Sequence, residues 1–115
     1  MDFDLQISQS GGRTVLTVGG DLDVLSAPQL RDRLMALTER GPEQIVVDLR
    51  PTDFVDSSGL SALVTGLKRA RARGGDLVLV CPPGNIRRLL EIAALDQVLA
   101  LHDDLDDLTG PAPGA

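Results

Sequence analysis

The chain has 115 residues, and its 17 acidic side chains outnumber 11 basic ones to give a formal net charge of -6. This length suits one domain with a single core. Phosphate groups would repel a protein of this charge, so we expect no nucleic-acid partner and no anionic membrane surface. One Cys and one His exclude an internal disulfide and a zinc site of the usual ligand type.

The hydrophobic residues, 43% of the chain, include two Phe but no Tyr or Trp. The core must therefore be aliphatic, and base-stacking platforms are not expected. The first residues show no apolar signal segment, and the apolar runs fall far short of the ~20 residues that span a bilayer. We predict a small, soluble, cytoplasmic domain without a cofactor of its own, and the composition gives little support for catalysis.

Hydrophobic periodicity predicts an initial hairpin. Phe3, Leu5 and Ile7 alternate with polar residues before a turn at 11–13, and Gly19-Gly20 is expected to end the second strand. After Ser26, a residue type favoured as a helix N-cap, helices and strands alternate. In chain order we predict a helix from Ser26 to Gly41, a strand over 45–49, a loop over 50–56, a helix over 57–73, a strand over 77–80, a short helix over 86–92, an edge strand over 98–101 and one more helical turn within 103–108.

This order predicts an α/β fold with a mixed sheet of four or five strands. The sheet is expected to be mostly parallel after the antiparallel hairpin, with helices packed mainly on one side. The domain is predicted over residues 1–108. The Gly/Pro/Ala-rich residues 109–115 are predicted to form a disordered tail.

The most informative segment is residues 53–64, where a buried strand gives way to a helix. Ser57 falls at the predicted N-terminus of that helix, where a serine usually caps free N–H groups. The same end of a helix tolerates a phosphate group. Phosphorylation would add about -1.5 to -2 charge there and so change the surface rather than unfold the helix.

The run Asp56-Ser57-Ser58-Gly59-Leu60 resembles the phosphorylation motif of bacterial anti-anti-sigma factors, which are sulfate-transporter-and-anti-sigma-antagonist (STAS) domains. The run Gly20-Asp21-Leu22-Asp23 is similar to the Gly-Glu-Leu-Asp segment of that family, with Asp21 in place of Glu. The stretches 26–30, 45–54 and 74–77 fit as well. The resemblance covers roughly residues 3 to 108 and implies a STAS-like fold.

The resemblance implies a partner-switching role. In that scheme the unphosphorylated domain binds an anti-sigma factor, which is also a serine kinase, and thereby frees the sigma factor. The kinase phosphorylates Ser57 and ends the complex, and a serine phosphatase restores it. ATP and divalent metal belong to the partners, so no cofactor is expected here. A monomer or weak dimer is expected.

The resemblance also implies a set of partner-binding residues, with Ser57 as the phosphoacceptor. These residues are Asp21, Asp23, Asp56, Ser57, Ser58 and Gly59. Together with Asp53, the acids would concentrate negative charge around Ser57, which suits a basic patch on a kinase.

Simpler explanations exist for several of these residues. Ser57 could be only a cap, Ser58 is the competing phosphoacceptor, and Asp21 and Asp23 could serve only turn chemistry. The basic stretch over 68–73 is better explained as a solvated helix face than as a nucleic-acid stripe.

Two other functions are open to the same sequence. The domain could be an accessory subunit of a lipid or anion transport system. Alternatively, Ser57 could be the nucleophile of a hydrolase, but no spacing links it to His102 and a Gly-x-Ser-x-Gly elbow is absent.

Overall fold

The computed structural model describes residues 2–108 of the chain. Within this range the elements, in chain order, are β1 (Asp4–Ser10), β2 (Arg13–Leu22), α1 (Ala27–Glu39), β3 (Gln44–Asp48), β4 (Thr52–Val55), α2 (Ser57–Ala72), β5 (Asp76–Val80), α3 (Asn85–Ile92), a 3₁₀ turn (Leu95–Gln97), β6 (Ala100–His102) and a second 3₁₀ turn (Leu105–Leu108). The predicted tail over 109–115 lies outside the described residues.

The sheet has the strand order β1-β2-β3-β5-β6, with β4 paired to β2 away from this path. β1 and β2 form the predicted antiparallel hairpin. The pairs β2–β3, β3–β5 and β5–β6 are all parallel. The α/β class and the mostly parallel sheet are therefore confirmed, and β4 extends the expected four or five strands to six within residues 2–108.

The three helices described within residues 2–108 cover one face of the sheet, as predicted. Because side chains alternate across a strand, Leu16 and Val47 point to the helices while their neighbours Val15 and Val46 point to the opposite face. Leu108, in the predicted final helical turn, packs on that opposite face. The core is aliphatic, as the composition requires.

The predicted end of β2 at Gly19-Gly20 and the predicted loop over 50–56 were both wrong, for one reason. β2 shifts its register between Gly20 and Asp21 and then continues to Leu22, because β4 provides a second partner strand there. Gly20 has a φ of +83°, and a Cβ at this position would lie 1.9 Å from the Asp2 carbonyl oxygen. The buried Thr52 hydroxyl donates to the Val18 carbonyl oxygen at 2.6 Å, which fastens the start of β4 to β2.

Cys81 is 2% exposed, as expected for a buried small hydrophobe. Burial raises the pKa of its thiol, so the thiol stays protonated at neutral pH. Over residues 2–108, none of the helices is long and apolar enough to cross a bilayer.

Candidate functional site

Ser57 is the first residue of α2, and the helix is capped by Asp56 rather than by Ser57. Asp56 Oδ1 accepts hydrogen bonds from the Ser58 N–H at 2.8 Å and the Gly59 N–H at 3.1 Å. A carboxylate fills this role well, because its charge also complements the positive end of the helix dipole. The Ser57 side chain is exposed, and its hydroxyl has no hydrogen-bond partner among residues 2–108. The capping explanation for Ser57 is therefore wrong.

The fold brings the acidic end of β2 beside the start of α2. The Asp56 N–H donates to the Leu22 carbonyl oxygen at 3.1 Å. In the β2–β4 pairing, Asp21 lies opposite Phe54 and Leu22 lies opposite Val55. The two segments singled out in the sequence therefore meet at one edge of the molecule.

Asp21 and Asp23 occupy different local structures, although the sequence placed both in one turn. Asp21 lies in β2, whereas Asp23 begins the turn that leads to α1. Asp23 Oδ1 accepts from the Leu25 N–H at 3.0 Å and the Ser26 N–H at 3.2 Å. Turn chemistry thus accounts for one oxygen of Asp23.

Ser26 precedes α1 at the cap position but makes no capping hydrogen bond to that helix. Its hydroxyl instead donates to the Asp21 carbonyl oxygen at 2.7 Å and accepts from the Asp23 N–H at 2.9 Å. Ser26 therefore ties the end of β2 to the turn, and so holds the acidic segment in place.

Gly59 is buried at the contact between α2 and the sheet. A Cβ there would lie 2.7 Å from the Leu22 carbonyl oxygen and 2.9 Å from Val55 Cγ1. Close packing of the helix on these strands accordingly requires glycine. Gly59 contributes to the site by permitting this approach, since it offers no side chain at the surface.

An open groove of about 310 Å³ lies beside Ser57, between α1 and α2. Ser57, Ser58 and Ser61 line it from α2, and Arg31 lines it from α1. Arg31 is exposed and forms no ion pair or hydrogen bond within residues 2–108. The sequence analysis missed Arg31 and Ser61. The i, i+4 spacing of Ser57 and Ser61, which puts both on one helix face, was the available signal for Ser61.

Apolar side chains are exposed in the turn before α1 and in β4, the strand before α2. Val24, which also lines the groove, is 65% exposed, Leu25 is 83% exposed and Phe54 is 51% exposed. Exposed apolar surface of this kind is typical of a protein contact. We call the residues Asp21, Asp23, Val24, Leu25, Phe54, Asp56, Ser57 and Ser58 the Ser57 surface.

Asp53, like Asp21, Asp23 and Asp56, does not line the groove beside Ser57, so the charge cluster expected from the sequence stays a prediction. Asp53 lines a separate cavity of about 260 Å³ with Arg50, Cys81 and Asn85.

The basic stretch of α2 is partly used inside the protein. Arg73 Nε donates to the Thr38 carbonyl oxygen at 3.1 Å, and Arg71 Nε donates to Asp76 Oδ1 at 3.1 Å. These contacts tie the end of α2 to α1 and to β5.

His102 lies in β6, the edge strand beyond β5, and within residues 2–108 no hydrogen bond joins its side chain to Ser57. Within residues 2–108, His, Cys, Asp and Glu side chains form no group of three or more that could hold a metal ion.

Comparisons with known proteins identify the family. The STAS domain family matches residues 4–108. The anti-sigma-B factor antagonist of Staphylococcus aureus (strain NCTC 8325 / PS 47) is 31% identical over 90% of this chain and 95% of the relative. The anti-sigma-B factor antagonist of Bacillus subtilis (strain 168) is 29% identical over 86% of this chain and 90% of the relative. The crystal structure of an anti-sigma factor antagonist from Mycobacterium paratuberculosis has a TM-score of 0.83 and 26% identity, covering 92% of this chain and 90% of that one. The chain therefore belongs to the STAS domain family, and its relatives include anti-sigma factor antagonists.

Proposed function

We propose that this protein is an anti-sigma factor antagonist whose binding to its partner is switched by phosphorylation of Ser57. The unphosphorylated form binds an anti-sigma factor that is also a serine kinase, and the sigma factor is released. The observation that carries the proposal is the exposed Ser57 hydroxyl, without a partner among residues 2–108, within an acidic and partly apolar surface. The names of the relatives support the same function.

Ser57 is a better phosphoacceptor than Ser58. Ser57 is exposed, whereas Ser58 is half-buried and its N–H is bound to the Asp56 carboxylate. A kinase must bring its nucleotide within reach of the hydroxyl, and the more exposed side chain allows that approach.

A phosphate on Ser57 opposes binding through its hydration. It adds about -1.5 to -2 charge and three acceptor oxygens next to Val24, whose exposed apolar side chain would be buried in a complex. Removing this strongly hydrated group from water at the contact costs free energy, which favours dissociation.

The remaining partners follow from this cycle. A serine phosphatase removes the phosphate and restores binding. The protein itself is a regulator that performs no catalysis and needs no cofactor, since the nucleotide and the metal belong to the kinase and the phosphatase. Neither nucleic acid nor a membrane takes part, and the protein acts in the cytoplasm as a monomer or weak dimer.

Calorimetric titration with the cognate anti-sigma factor tests the switch. We expect Ser57→Asp to weaken binding at least tenfold, which corresponds to about 1.4 kcal/mol, whereas Ser57→Ala binds like the wild type. Ser10→Asp, on the exposed end of β1, adds the same charge away from the Ser57 surface and is the matched control. Wild-type affinity for Ser57→Asp would refute the proposal.

Intact mass measured after incubation with ATP and the cognate kinase tests the phosphoacceptor. We expect a gain of one phosphate, about 80 Da, in the wild type and in Ser58→Ala, and no gain in Ser57→Ala. A gain that persists in Ser57→Ala and disappears in Ser58→Ala would move the switch to Ser58.

A further inference from the structure

Arg31 is the cation that faces Ser57 across the groove between α1 and α2. Both side chains line this groove, together with Ser61. Arg31 is exposed and unpaired within residues 2–108, whereas Arg50 and Arg71 form ion pairs with Asp48 and Asp76. The guanidinium is therefore available to an anion that appears in the groove.

The carboxylates of Asp23 and Asp56 do not neutralise Arg31. Asp56 Oδ1 is engaged with two backbone N–H groups at the start of α2, and Asp23 Oδ1 is engaged with two more in the turn before α1. Neither forms an ion pair with Arg31. The unphosphorylated groove thus holds a cation and three serine hydroxyls.

We propose that Arg31 binds the phosphate group once Ser57 is phosphorylated, so that the phosphate is held across the groove by an ion pair within the same chain. This inference rests on the proposed function, and it assigns a specific contact to the phosphorylated form, which does not bind the anti-sigma factor. A guanidinium presents paired N–H donors that match phosphate oxygens. Ser61, one turn after Ser57 on the same helix face, offers a hydroxyl donor from the other side.

Binding of this kind has a consequence for the switch. A phosphate held against Arg31 occupies part of the groove that Val24 also lines. The phosphorylated form then has a contact between α1 and α2 that the unphosphorylated form lacks.

The test uses protein in which phosphoserine is incorporated at position 57 during synthesis, so that no kinase is needed. The phosphate is titrated by phosphorus NMR in the wild type, Arg31→Gln, Arg31→Lys and Arg33→Gln. A nearby cation favours the doubly charged phosphate and lowers its pKa. We expect Arg31→Gln to raise the titration midpoint by about 0.5 pH units, the size typical of an exposed ion pair.

Two variants make the result specific. Arg31→Lys keeps the positive charge, so we expect its titration midpoint to lie closer to the wild-type value than to that of Arg31→Gln. Arg33→Gln removes an exposed arginine from the same helix, but one that does not line the groove, and is expected to leave the midpoint unchanged. The acidic neighbours Asp21, Asp23 and Asp56 raise the midpoint equally in all variants and cancel in the comparison.

The same midpoint in wild type and Arg31→Gln would overturn the inference, as would an equal shift in Arg33→Gln. Circular dichroism checks that each variant is folded. Failure of the kinase to modify Ser57 would refute the proposed function but would leave this titration interpretable, because the phosphate is installed without the kinase.

Discussion

Acidic side chains are used differently at two regions of the molecule. At the Ser57 surface, Asp23 and Asp56 accept hydrogen bonds from backbone N–H groups. Near the C-terminal segment, Asp48 pairs with Arg50 through two contacts of 3.0 and 2.9 Å, and Arg50 also reaches Asp104 at 3.3 Å. We call the residues Asp48, Arg50, Arg87, Asp103 and Asp104 the arginine-paired region.

In the arginine-paired region the carboxylates are neutralised by arginines and stabilise the fold, whereas at the Ser57 surface the negative charge stays at the surface. In the arginine-paired region, Arg87 joins Asp103 to the Cys81 carbonyl oxygen, so the segment after β6 is tied back to the sheet. Hydrogen bonding to Asp48 raises the pKa of Arg50 although burial opposes it. Since an arginine side chain is protonated at any ordinary pH even in an unfolded chain, the pair keeps its cation. At the Ser57 surface, backbone N–H groups orient the carboxylates of Asp23 and Asp56 without cancelling their charge.

The largest expected effect on stability comes from breaking the arginine-paired region. Asp48→Asn removes the negative charge and replaces one of the two oxygens that accept from Arg50 with an NH2 donor, so we expect a loss of about 2 kcal/mol in the free energy of unfolding. Urea denaturation monitored by circular dichroism measures this loss. Affinity for the anti-sigma factor should stay at the wild-type value. A loss of affinity without a loss of stability would contradict the division into two regions.

A smaller effect is expected from the capping carboxylate at the Ser57 surface. Asp56→Ala removes the acceptor for two N–H groups of α2, and loss of such a cap typically costs about 1 kcal/mol. Here, in contrast to Asp48→Asn, we also expect weaker binding to the anti-sigma factor. A loss of stability in Asp56→Ala with wild-type affinity for the anti-sigma factor would contradict the difference between the two regions.

The smallest effect is expected from an exposed ion pair that belongs to neither region. Arg71 and Asp76 have side chains 55% and 44% exposed, and exposed pairs contribute at most about 1 kcal/mol and often much less. Arg71→Gln should change the unfolding midpoint in urea only slightly and leave binding unchanged. A loss as large as that of Asp48→Asn would show that burial is not what separates these pairs.

Elements with a strong local signal were predicted well from the sequence. The two turn glycines after β1, the helical spacing of Leu30, Leu34 and Leu37, and the continuous apolar strand over 45–49 each specify their structure locally. The final helical turn was also predicted, at Leu105–Leu108.

Elements that depend on a distant partner were predicted poorly. β4 is too short and too polar to be recognised, and it forms because the end of β2 lies beside it. The same pairing extends β2 past Gly20, a residue that otherwise indicates the end of a strand. Strand pairing is a property of two segments, and hydrophobic periodicity in one segment carries little information about it.

The candidate site shows the same division. The motif around Ser57, the two aspartates after Gly20 and the family they resemble could all be found in the sequence. The assignment of the cap to Asp56 and the buried position of Gly59 could not be found there, because both depend on how α2 packs against the ends of β2 and β4.

The sequence by itself determined the α/β class, the aliphatic core, the acidic character and the motif centred on Ser57. These follow from the composition and from the order of neighbouring residues, neither of which depends on how distant segments pack. The tertiary structure alone decided which side chains share a surface with Ser57. It brought Arg31 of α1 and Ser61 of α2 into one groove, because that arrangement arises only when two helices pack on the same face of the sheet.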